Sequence, residues 1–475
     1  MRAYDVSDSL LICENAKRKF GADYDRINWF SDAEAIRATQ ERNDLLAQIG
    51  SGLAKDRDGA RGAKPHIGPI SPGCRICQHG GWDCTWIHRR CTRSCQFCNT
   101  ADDPRLGGNR QPYCREGTFC GPEDHALYFK LFNKKGLGIS GGEPLLRFDW
   151  VLDHLKAVRG ACEASYCWLY TNGDLATPFA LRELANAGLD EIRLDLAAVN
   201  YDLERVALAK RFIPAVTVEI PCLPHDYDRL KDLLPRLSAC GVSYLNLHQL
   251  MVGRHNYQSY MNRGYHFLHS WHTPVHESEM TALRLMKYAM DNRIDLPINY
   301  CAKIYKESFQ ERNYRMSYAD LFLAPLESTT ENGYFRRIRV RDTWDNIQSQ
   351  AQKFRERNAD PRRWAVLAPD EGMAVHPELL PRLDLADYQL KVEYYAPAVK
   401  KKDENGLFER GNLAAELTPI LKSPWLSAPL AKTWQDLFLG TGDPGPENEI
   451  ESEGFAMFPG MMRRERMISG LPDIE

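Results

Sequence analysis

Strand-like and helix-like runs alternate from about Trp82 to Tyr300, and this alternation constrains the fold more than any other sequence feature. It is typical of parallel β/α units, in which each helix returns the chain to the start of the next strand. One predicted helix begins at Thr177-Pro178 and ends at Gly188, so a capping residue, a first-turn proline and a terminal glycine are all present. The sequence therefore predicts an α/β fold with a parallel sheet.

Several of the predicted strands carry polar residues on one face. Arg193 and Asp195 alternate with apolar residues in one strand, Glu219 does so in the next, and His248 in the one after. Parallel strands that are covered on both faces usually read as nearly continuous apolar runs. The polar faces predict a barrel whose outside packs on helices and whose lumen holds a polar ligand. An antiparallel sheet with one solvated face is the alternative.

Three cysteines, Cys91, Cys95 and Cys98, follow the first predicted strand in CxxxCxxC order. Thiolates at this spacing can ligate three corners of a [4Fe-4S] cube and leave the fourth iron without a protein ligand. The spacing alone also fits a zinc loop or a ferredoxin-type electron carrier. The sequence therefore predicts a metal centre at the carboxyl end of a parallel strand, where β/α folds carry their reactive loops.

A second motif, Ser140-Gly141-Gly142-Glu143-Pro144, follows the next short apolar run. Together, the two motifs resemble the radical S-adenosylmethionine (SAM) superfamily over roughly Pro69 to Arg315. The resemblance implies a partial (β/α)6 barrel in which SAM chelates the open iron and the GGEP loop holds the methionyl amino group. It further implies that one electron cleaves SAM to a 5′-deoxyadenosyl radical, and it favours an enzyme over a zinc loop or an electron carrier.

The resemblance extends to further contacts with SAM, because Thr171-Asn172-Gly173 looks like the TNG turn of the family. The residues that we expect to contact SAM are Gly141, Gly142, Glu143, Thr171, Asn172, Asp195, Glu219 and His248. For Asp195 and Glu219 the alternative is a buried pairing with Arg193 that orders the barrel.

A second metal site is predicted just upstream of the first, at Cys74-x-x-Cys77 and Cys84, with Cys114 or Cys120 as the fourth ligand. Tetrahedral sulfur ligation suits zinc, a mononuclear iron or an auxiliary Fe–S cluster. A structural metal that attaches the N-terminal segment to the barrel is the favoured interpretation. An auxiliary cluster that conducts electrons or touches the substrate is the alternative.

The run Asn299-Tyr300-Cys301, with Tyr305 and Lys306, resembles a subgroup related to pyruvate formate-lyase activating enzymes. That subgroup includes the enzyme that methylates an arginine of methyl-coenzyme M reductase. There a tyrosine can reach the cluster iron, and Tyr300 is the matching position. The subgroup resemblance also favours a peptide or protein side chain as the substrate.

The chain is predicted to have three regions. Residues 1–72 form a helical N-terminal extension and linker, and residues 73–320 form the barrel with its auxiliary metal segment. A polar, aromatic insertion at 251–275 is expected to act as a lid over the barrel. Residues 321–475 form an α+β C-terminal accessory region.

The bulk composition excludes some classes of partner. The 475 residues carry a net charge of -3, which lacks the basic excess of a nucleic-acid-binding protein. No apolar run reaches membrane-spanning length and the N-terminus is not a signal peptide, so we expect a cytoplasmic protein without a membrane partner. In a reducing compartment, clustered cysteines favour metal ligation over disulfides.

Together these observations predict a radical SAM enzyme that abstracts hydrogen from an unactivated carbon. The substrate would be a peptide or protein side chain or a natural-product intermediate, and the outcome C–C bond formation, cyclisation or methylation. A flavodoxin or a ferredoxin would supply the electron. A glycyl-radical-enzyme activase and a non-catalytic Fe–S or zinc-binding module are the alternatives.

Overall fold

The computed structural model describes residues 6–50, 63–98, 112–114, 119, 121–270, 272–400, 414–427, 434, 438, 461 and 464–466. Cys120 and most of the predicted linker lie outside these residues. The described chain divides into two compact units. The barrel unit covers the described residues of Leu10–Gln310, and the C-terminal unit covers those of Met1–Ser9, Glu311–Lys400 and Ala414–Ile468. The predicted boundary of the barrel at residue 320 stays a prediction.

The barrel unit is built on an eight-stranded sheet. Its strands are β1 (His66–Ile67), β2 (Trp82–Trp86), β3 (Gly136–Ser140), β4 (Tyr166–Thr171), β5 (Glu191–Leu194), β6 (Ala215–Cys222), β7 (Tyr244–Gln249) and β8 (Ile298–Cys301). The spatial order is β1-β8-β7-β6-β5-β4-β3-β2. Strands β2 to β8 pair in parallel, and only the short β1 runs antiparallel to β8. The predicted α/β fold is confirmed and a partial barrel fits it, with seven parallel strands where six were expected.

Helices connect these strands. The barrel unit contains α1 (Val6–Phe20) from Leu10 onward, α2 (Asp32–Ile49), α3 (Pro72–Gln78), α4 (Pro122–Leu131), α5 (Phe148–Ala161), α6 (Pro178–Asn186), α7 (Glu204–Ala209), α8 (Tyr227–Ala239), α9 (Tyr257–Met261) and α10 (His276–Asp291). Helix α3 lies on the lumen side, where its Gly73 packs against Arg193 and Trp168. Helix α6 has the predicted start, because the Thr177 hydroxyl accepts a hydrogen bond from the Ala180 amide. No helix among the described residues has the length and apolar character needed to cross a membrane.

The insertion predicted as a lid lies between β7 and α10 and packs on the N-terminal segment. The His269 ring stacks on Trp29 with ring centroids 3.9 Å apart, and His266 stacks on Phe30 at 4.6 Å. The insertion also reaches the cysteine loop, where the Asn256 side-chain amide donates to the backbone oxygen of Gln96 at 2.7 Å. Two of its histidines are thus held by aromatic stacking on the N-terminal segment.

The C-terminal unit is an antiparallel sheet with a helix on one face. Its elements are α11 (Glu311–Met316), α12 (Ala319–Phe322), β9 (Ser328–Thr329), β10 (Phe335–Arg341), α13 (Trp344–Glu356), β11 (Trp364–Val366), β12 (Met373–Val375), β13 (Gln389–Lys400) and β14 (Ala414–Lys422). The strand order is β11-β12-β10-β13-β14, and β9 pairs with β10. Ile347 and Phe354 of α13 share a buried core with Ile338 and Val392 of the sheet. This unit has the α+β character predicted for the region.

Candidate functional site

The cysteine loop leaves the end of β2 at the carboxyl edge of the parallel sheet. The Ile87 amide donates to the Ser140 backbone oxygen at 2.9 Å, so the pairing with β3 continues one residue past the strand. Cys91 is exposed, whereas Cys95 and Cys98 are partly buried. Burial raises the pKa of the Cys95 thiol to about 12, with the negative charge of Asp195 as the next contribution. Cys95 would therefore ionise near neutral pH only when a metal binds it.

The two glycines of the GGEP loop lie against the backbone that leads into the cysteine loop. A Cβ atom on Gly142 would lie 2.2 Å from the Arg89 oxygen and 2.3 Å from the Arg90 oxygen. Gly141 has φ +147°, and a Cβ there would lie 2.6 Å from the His88 oxygen. Only glycine permits this approach. In this structure the glycines bring the GGEP loop against the three residues that directly precede the cysteine motif.

The Glu143 carboxylate is buried and ties the end of β3 to the end of β4. It accepts hydrogen bonds from the Thr171 hydroxyl at 2.8 Å and from the amides of Asn172 at 2.9 Å and Leu145 at 3.1 Å. Burial raises the pKa of the Glu143 carboxyl, whereas the three hydrogen bonds lower it, and the net shift is upward. A carboxylate can accept about four hydrogen bonds. Three donors of the chain already occupy Glu143, so contact with SAM would be additional to its role in joining the two loops.

The TNG turn braces the cysteine loop through side chains. The Asn172 amide donates to the Thr92 hydroxyl at 2.9 Å and lies 3.7 Å from the Cys91 sulfur. Asp174 accepts from Thr92 at 2.8 Å and from both ends of the Arg93 guanidinium at 2.7 and 2.6 Å. Sequence reasoning missed Asp174, Thr92 and Arg93. Their only signal was their position, directly after the TNG turn and inside the CxxxCxxC motif.

Arg193 organises the buried polar groups of the lumen. Its guanidinium lies 2.9 Å from Glu191 and 3.0 Å from Glu219, and it donates to the Tyr170 hydroxyl at 3.1 Å. Burial raises the pKa of Glu219, but the charge of Arg193 and the hydrogen bond from His248 outweigh it and hold the pKa below its usual range. Glu219 is therefore paired with Arg193, as in the alternative to SAM contact that the sequence offered.

Asp195 behaves differently from Glu219. Its carboxylate caps the short helical segment after β5 and accepts from the Ala198 amide at 3.4 Å. Burial raises its pKa to about 7. Asp195 contributes to the raised pKa of Cys95, which indicates that it lies near the cysteine loop. Glu219 is paired with Arg193, whereas Asp195 has no cationic partner among the residues that the structure describes.

His248 links Glu219 to a lysine that follows β8. Its Nε2 lies 2.7 Å from Glu219, and its Nδ1 lies 2.9 Å from the Lys306 ammonium. Burial lowers the His248 pKa, and the Lys306 charge lowers it further. Because an ammonium can only donate, we assign the imidazole as neutral, with Nε2–H donating to Glu219. The predicted site residue His248 thus has both ring nitrogens occupied.

The cysteines of the predicted second metal site lie in the lumen or at its edge. Cys74 is buried, and the Asn246 amide lies 3.4 Å from its sulfur. Cys77 accepts from the Gln310 amide at 2.9 Å, and burial raises its pKa to about 12. Burial also raises the pKa of Cys84, with Asp83 and Cys77 contributing. Cys114 is buried, and Cys120 lies outside the described residues.

No group of three or more cysteine, histidine, aspartate or glutamate side chains converges on one metal ion within the described ranges. The second metal site therefore stays a prediction.

Tyr300 faces away from the lumen, which corrects the predicted contact with the cluster. Tyr300 is fully buried. The charges of Glu279 on α10 and of Arg42 on α2 both act on its hydroxyl. Its neighbour Asn299 faces the lumen instead, where it donates to Asn246 at 3.0 Å. Successive residues of a strand point to opposite faces, so Asn299 and Tyr300 cannot share one.

Comparison with known proteins gives a family match over this part of the chain. Residues 87–268 match the model of the Radical SAM superfamily. These residues form a radical SAM domain. The matched radical SAM range contains the cysteine loop, the GGEP and TNG loops, Asp195, Glu219 and His248. It ends before Tyr300 and begins after Cys74, Cys77 and Cys84 of the predicted second metal site.

Relatives of this radical SAM enzyme include a Methanocaldococcus jannaschii protein, provisionally named a glycyl-radical enzyme activating enzyme. The two are 28% identical over 299 residues, which cover 60% of this chain and 78% of the relative. Solved structures that resemble the chain are Streptococcus suis SuiB (10% identity, TM-score 0.33) and its SAM-bound form (11%, TM-score 0.34). Each match covers 50% of this chain and 51% or 52% of SuiB, so the chain spans about half the length of that protein.

The radical SAM family implies a [4Fe-4S] cluster and SAM, and the thiols at the rim fit the cluster. Cys91, Cys95 and Cys98 are three thiols on one loop, and a four-iron cube presents a separate corner to each of them. The loop is fixed by backbone contact with Gly141 and Gly142. These three cysteines would hold the cluster, while the adjoining loops and the lumen would hold SAM.

Proposed function

We propose that this enzyme reductively cleaves SAM and abstracts hydrogen from an unactivated carbon of a peptide or protein side chain. When bound and reduced, the cluster would supply the one electron that breaks a carbon–sulfur bond of SAM, releasing methionine and a 5′-deoxyadenosyl radical. The observation that carries the proposal is the cysteine loop itself. Within the radical SAM domain it is held against the GGEP loop and braced by the TNG turn.

The residues around the loop would position the reactants. Glu143 joins the β3 and β4 loops, so both move as one rim next to the cysteines. The lumen below holds the connected side chains of Arg193, Glu219, His248 and Lys306. Fixed dipoles and charges of this kind orient a polar substrate and exclude free water from a reactive carbon.

The preference for a peptide or protein substrate rests on the subgroup resemblance and on the name of the Methanocaldococcus jannaschii relative, which refers to an enzyme that activates another enzyme. The same name favours a second candidate function. In that case the enzyme would place a glycyl radical on a partner protein. The two candidates differ in their product, because an activase leaves a persistent radical on the backbone of its partner and a side-chain modifier leaves an altered residue.

Anaerobically reconstituted protein tests the proposal. We expect 5′-deoxyadenosine from SAM and dithionite, and deuterium transfer into it from a peptide substrate labelled at the attacked carbon. Glycine-derived deuterium together with a backbone radical signal would favour the activase. A protein that binds a full cluster yet forms no 5′-deoxyadenosine would contradict both candidates.

SAM binding is expected to depend on pH through Asp195. The pKa of its carboxyl is about 7, so it ionises as pH rises through neutrality. If the ionised carboxylate accepts hydrogen bonds from the ribose hydroxyls, SAM affinity should rise between about pH 6 and pH 8. The Asp195→Asn variant should lose this dependence and bind with the weaker affinity at every pH. Titration calorimetry on the reconstituted protein measures it, and an unchanged pH profile in the variant would remove Asp195 from the SAM site.

A further inference from the structure

A surface beside the cysteine loop combines exposed arginines with exposed apolar side chains. Cys91 lies there, and it is the sole exposed cysteine of the thirteen that the structure describes. Arg89 and Arg90, which precede it, are exposed, and so is Arg93, which follows it. The exposed side of the cysteine loop is thus the side that carries Cys91 and these arginines.

The arginines continue onto the segment after the GGEP loop. Arg147 is 40% exposed, and its guanidinium lies 3.5 Å from the Trp150 ring centroid. Burial lowers the pKa of His88, and Arg147 and Arg90 lower it further, which indicates that both cations lie near His88. The stacking on Trp150 holds the Arg147 cation in place while leaving it accessible.

The apolar part of the surface adjoins these arginines. Phe179 at the start of α6 is 64% exposed, and Leu146 in the turn after the GGEP loop is 41% exposed. The Phe179 ring lies 6.2 Å from that of Phe148. Exposed apolar side chains that adjoin one another and are rimmed by charge are typical of protein interaction sites.

The charge of this surface is opposite in sign to that of the chain. Four arginines, Arg89, Arg90, Arg93 and Arg147, lie here with two aspartates, Asp149 and Asp174, which pair with Arg147 and Arg93. The whole chain carries a net charge of -3. A local cationic excess on an acidic protein steers acidic partners to that place.

We propose that the surface formed by Arg89, Arg90, Arg93, Leu146, Arg147, Phe148 and Phe179 docks an acidic protein that carries a low-potential one-electron centre. One electron would leave the reduced centre of that protein and enter the cluster beside Cys91, with no transfer of atoms. The inference rests on the proposed function, because only a reductive reaction requires such a donor.

The test compares a protein reductant with a small one. Reconstituted Arg147→Glu, Phe179→Ser and double-variant enzymes are assayed for 5′-deoxyadenosine with reduced flavodoxin, with reduced ferredoxin and with dithionite. Arg147 and Phe179 have no role in the cluster or SAM site, so their substitution should leave the dithionite reaction unchanged. With the protein donors, the double variant should need about 10-fold more donor for half-maximal rate, and calorimetry should show a similar loss of affinity. Arg236→Glu, at an exposed position on α8, is the matched control.

Ionic strength provides a second readout. Affinity of the wild-type enzyme for flavodoxin should fall with added salt, and Arg147→Glu should flatten that dependence. Unchanged affinity for both donors in the double variant would overturn the inference. An equal loss of 5′-deoxyadenosine formation with dithionite would also overturn the inference, because the surface would then serve the substrate or the SAM site. Absence of 5′-deoxyadenosine from wild-type enzyme with dithionite would instead contradict the proposed function, while the calorimetry would still decide the docking surface.

Discussion

Replacing Cys95 with alanine is expected to reduce 5′-deoxyadenosine formation below detection. Cys95 is the central ligand of the motif, and a cube left with two protein thiolates would be lost or rearranged. Iron content, the visible absorption spectrum and 5′-deoxyadenosine are measured on anaerobically reconstituted protein.

Cys162→Ala is the matched control for this change. Cys162 is partly buried at the end of α5, outside the cysteine motifs, so its replacement should leave the cluster and turnover intact. Wild-type iron content and turnover in the Cys95→Ala protein would show that the motif does not ligate the catalytic cluster.

Replacing Arg193 with methionine should destabilise the barrel unit by about 3–5 kcal/mol, because removing one partner of a buried ion pair leaves an uncompensated charge. Arg193 and Glu191 are almost completely buried, and Glu219 is little more exposed. The arginine also donates to the Ser71 hydroxyl, so it joins the start of α3 to the strands. The free energy of unfolding in urea, or the loss of soluble protein, measures the effect.

A compensated variant separates charge from packing. If the buried negative charges cause the loss, adding Glu191→Gln and Glu219→Gln to Arg193→Met should recover a large part of the stability. Wild-type stability of Arg193→Met alone would mean that the lumen is more hydrated than the structure indicates.

Much of the fold could be predicted because the local signals agree. Thr177-Pro178 and Gly188 mark the ends of α6, and Gly188 has the positive φ expected after a helix. The polar face of β5 and β6 predicted the lumen, and Arg193 and Glu219 do face each other there. These features depend on residues that are close in sequence or on the period of a strand.

Tyr300 shows what a motif resemblance cannot determine. Its position next to Asn299 and Cys301 suggested the active site, but side-chain direction depends on the register of β8 with β7. In that register Tyr300 pairs with Leu247, whose side chain faces the helices. A shift of one residue would reverse every side chain of the strand.

The contacts between distant loops were equally inaccessible from sequence. Asp174 lies about 80 residues from Arg93 in sequence, yet it makes two hydrogen bonds to it. Trp29 stacks on His269 although most of the sequence of the barrel unit separates the two residues. Such pairs depend on topology rather than on local pattern, so the sequence offers no periodic signal for them.

The electron paramagnetic resonance spectrum of the reduced cluster, recorded before and after addition of SAM, tests the central claim most directly. If one iron lacks a protein ligand, SAM should bind that iron and change the spectrum of the wild-type protein. An identical spectrum with and without saturating SAM, in protein with full cluster occupancy, would contradict an open iron at the Cys91, Cys95 and Cys98 loop.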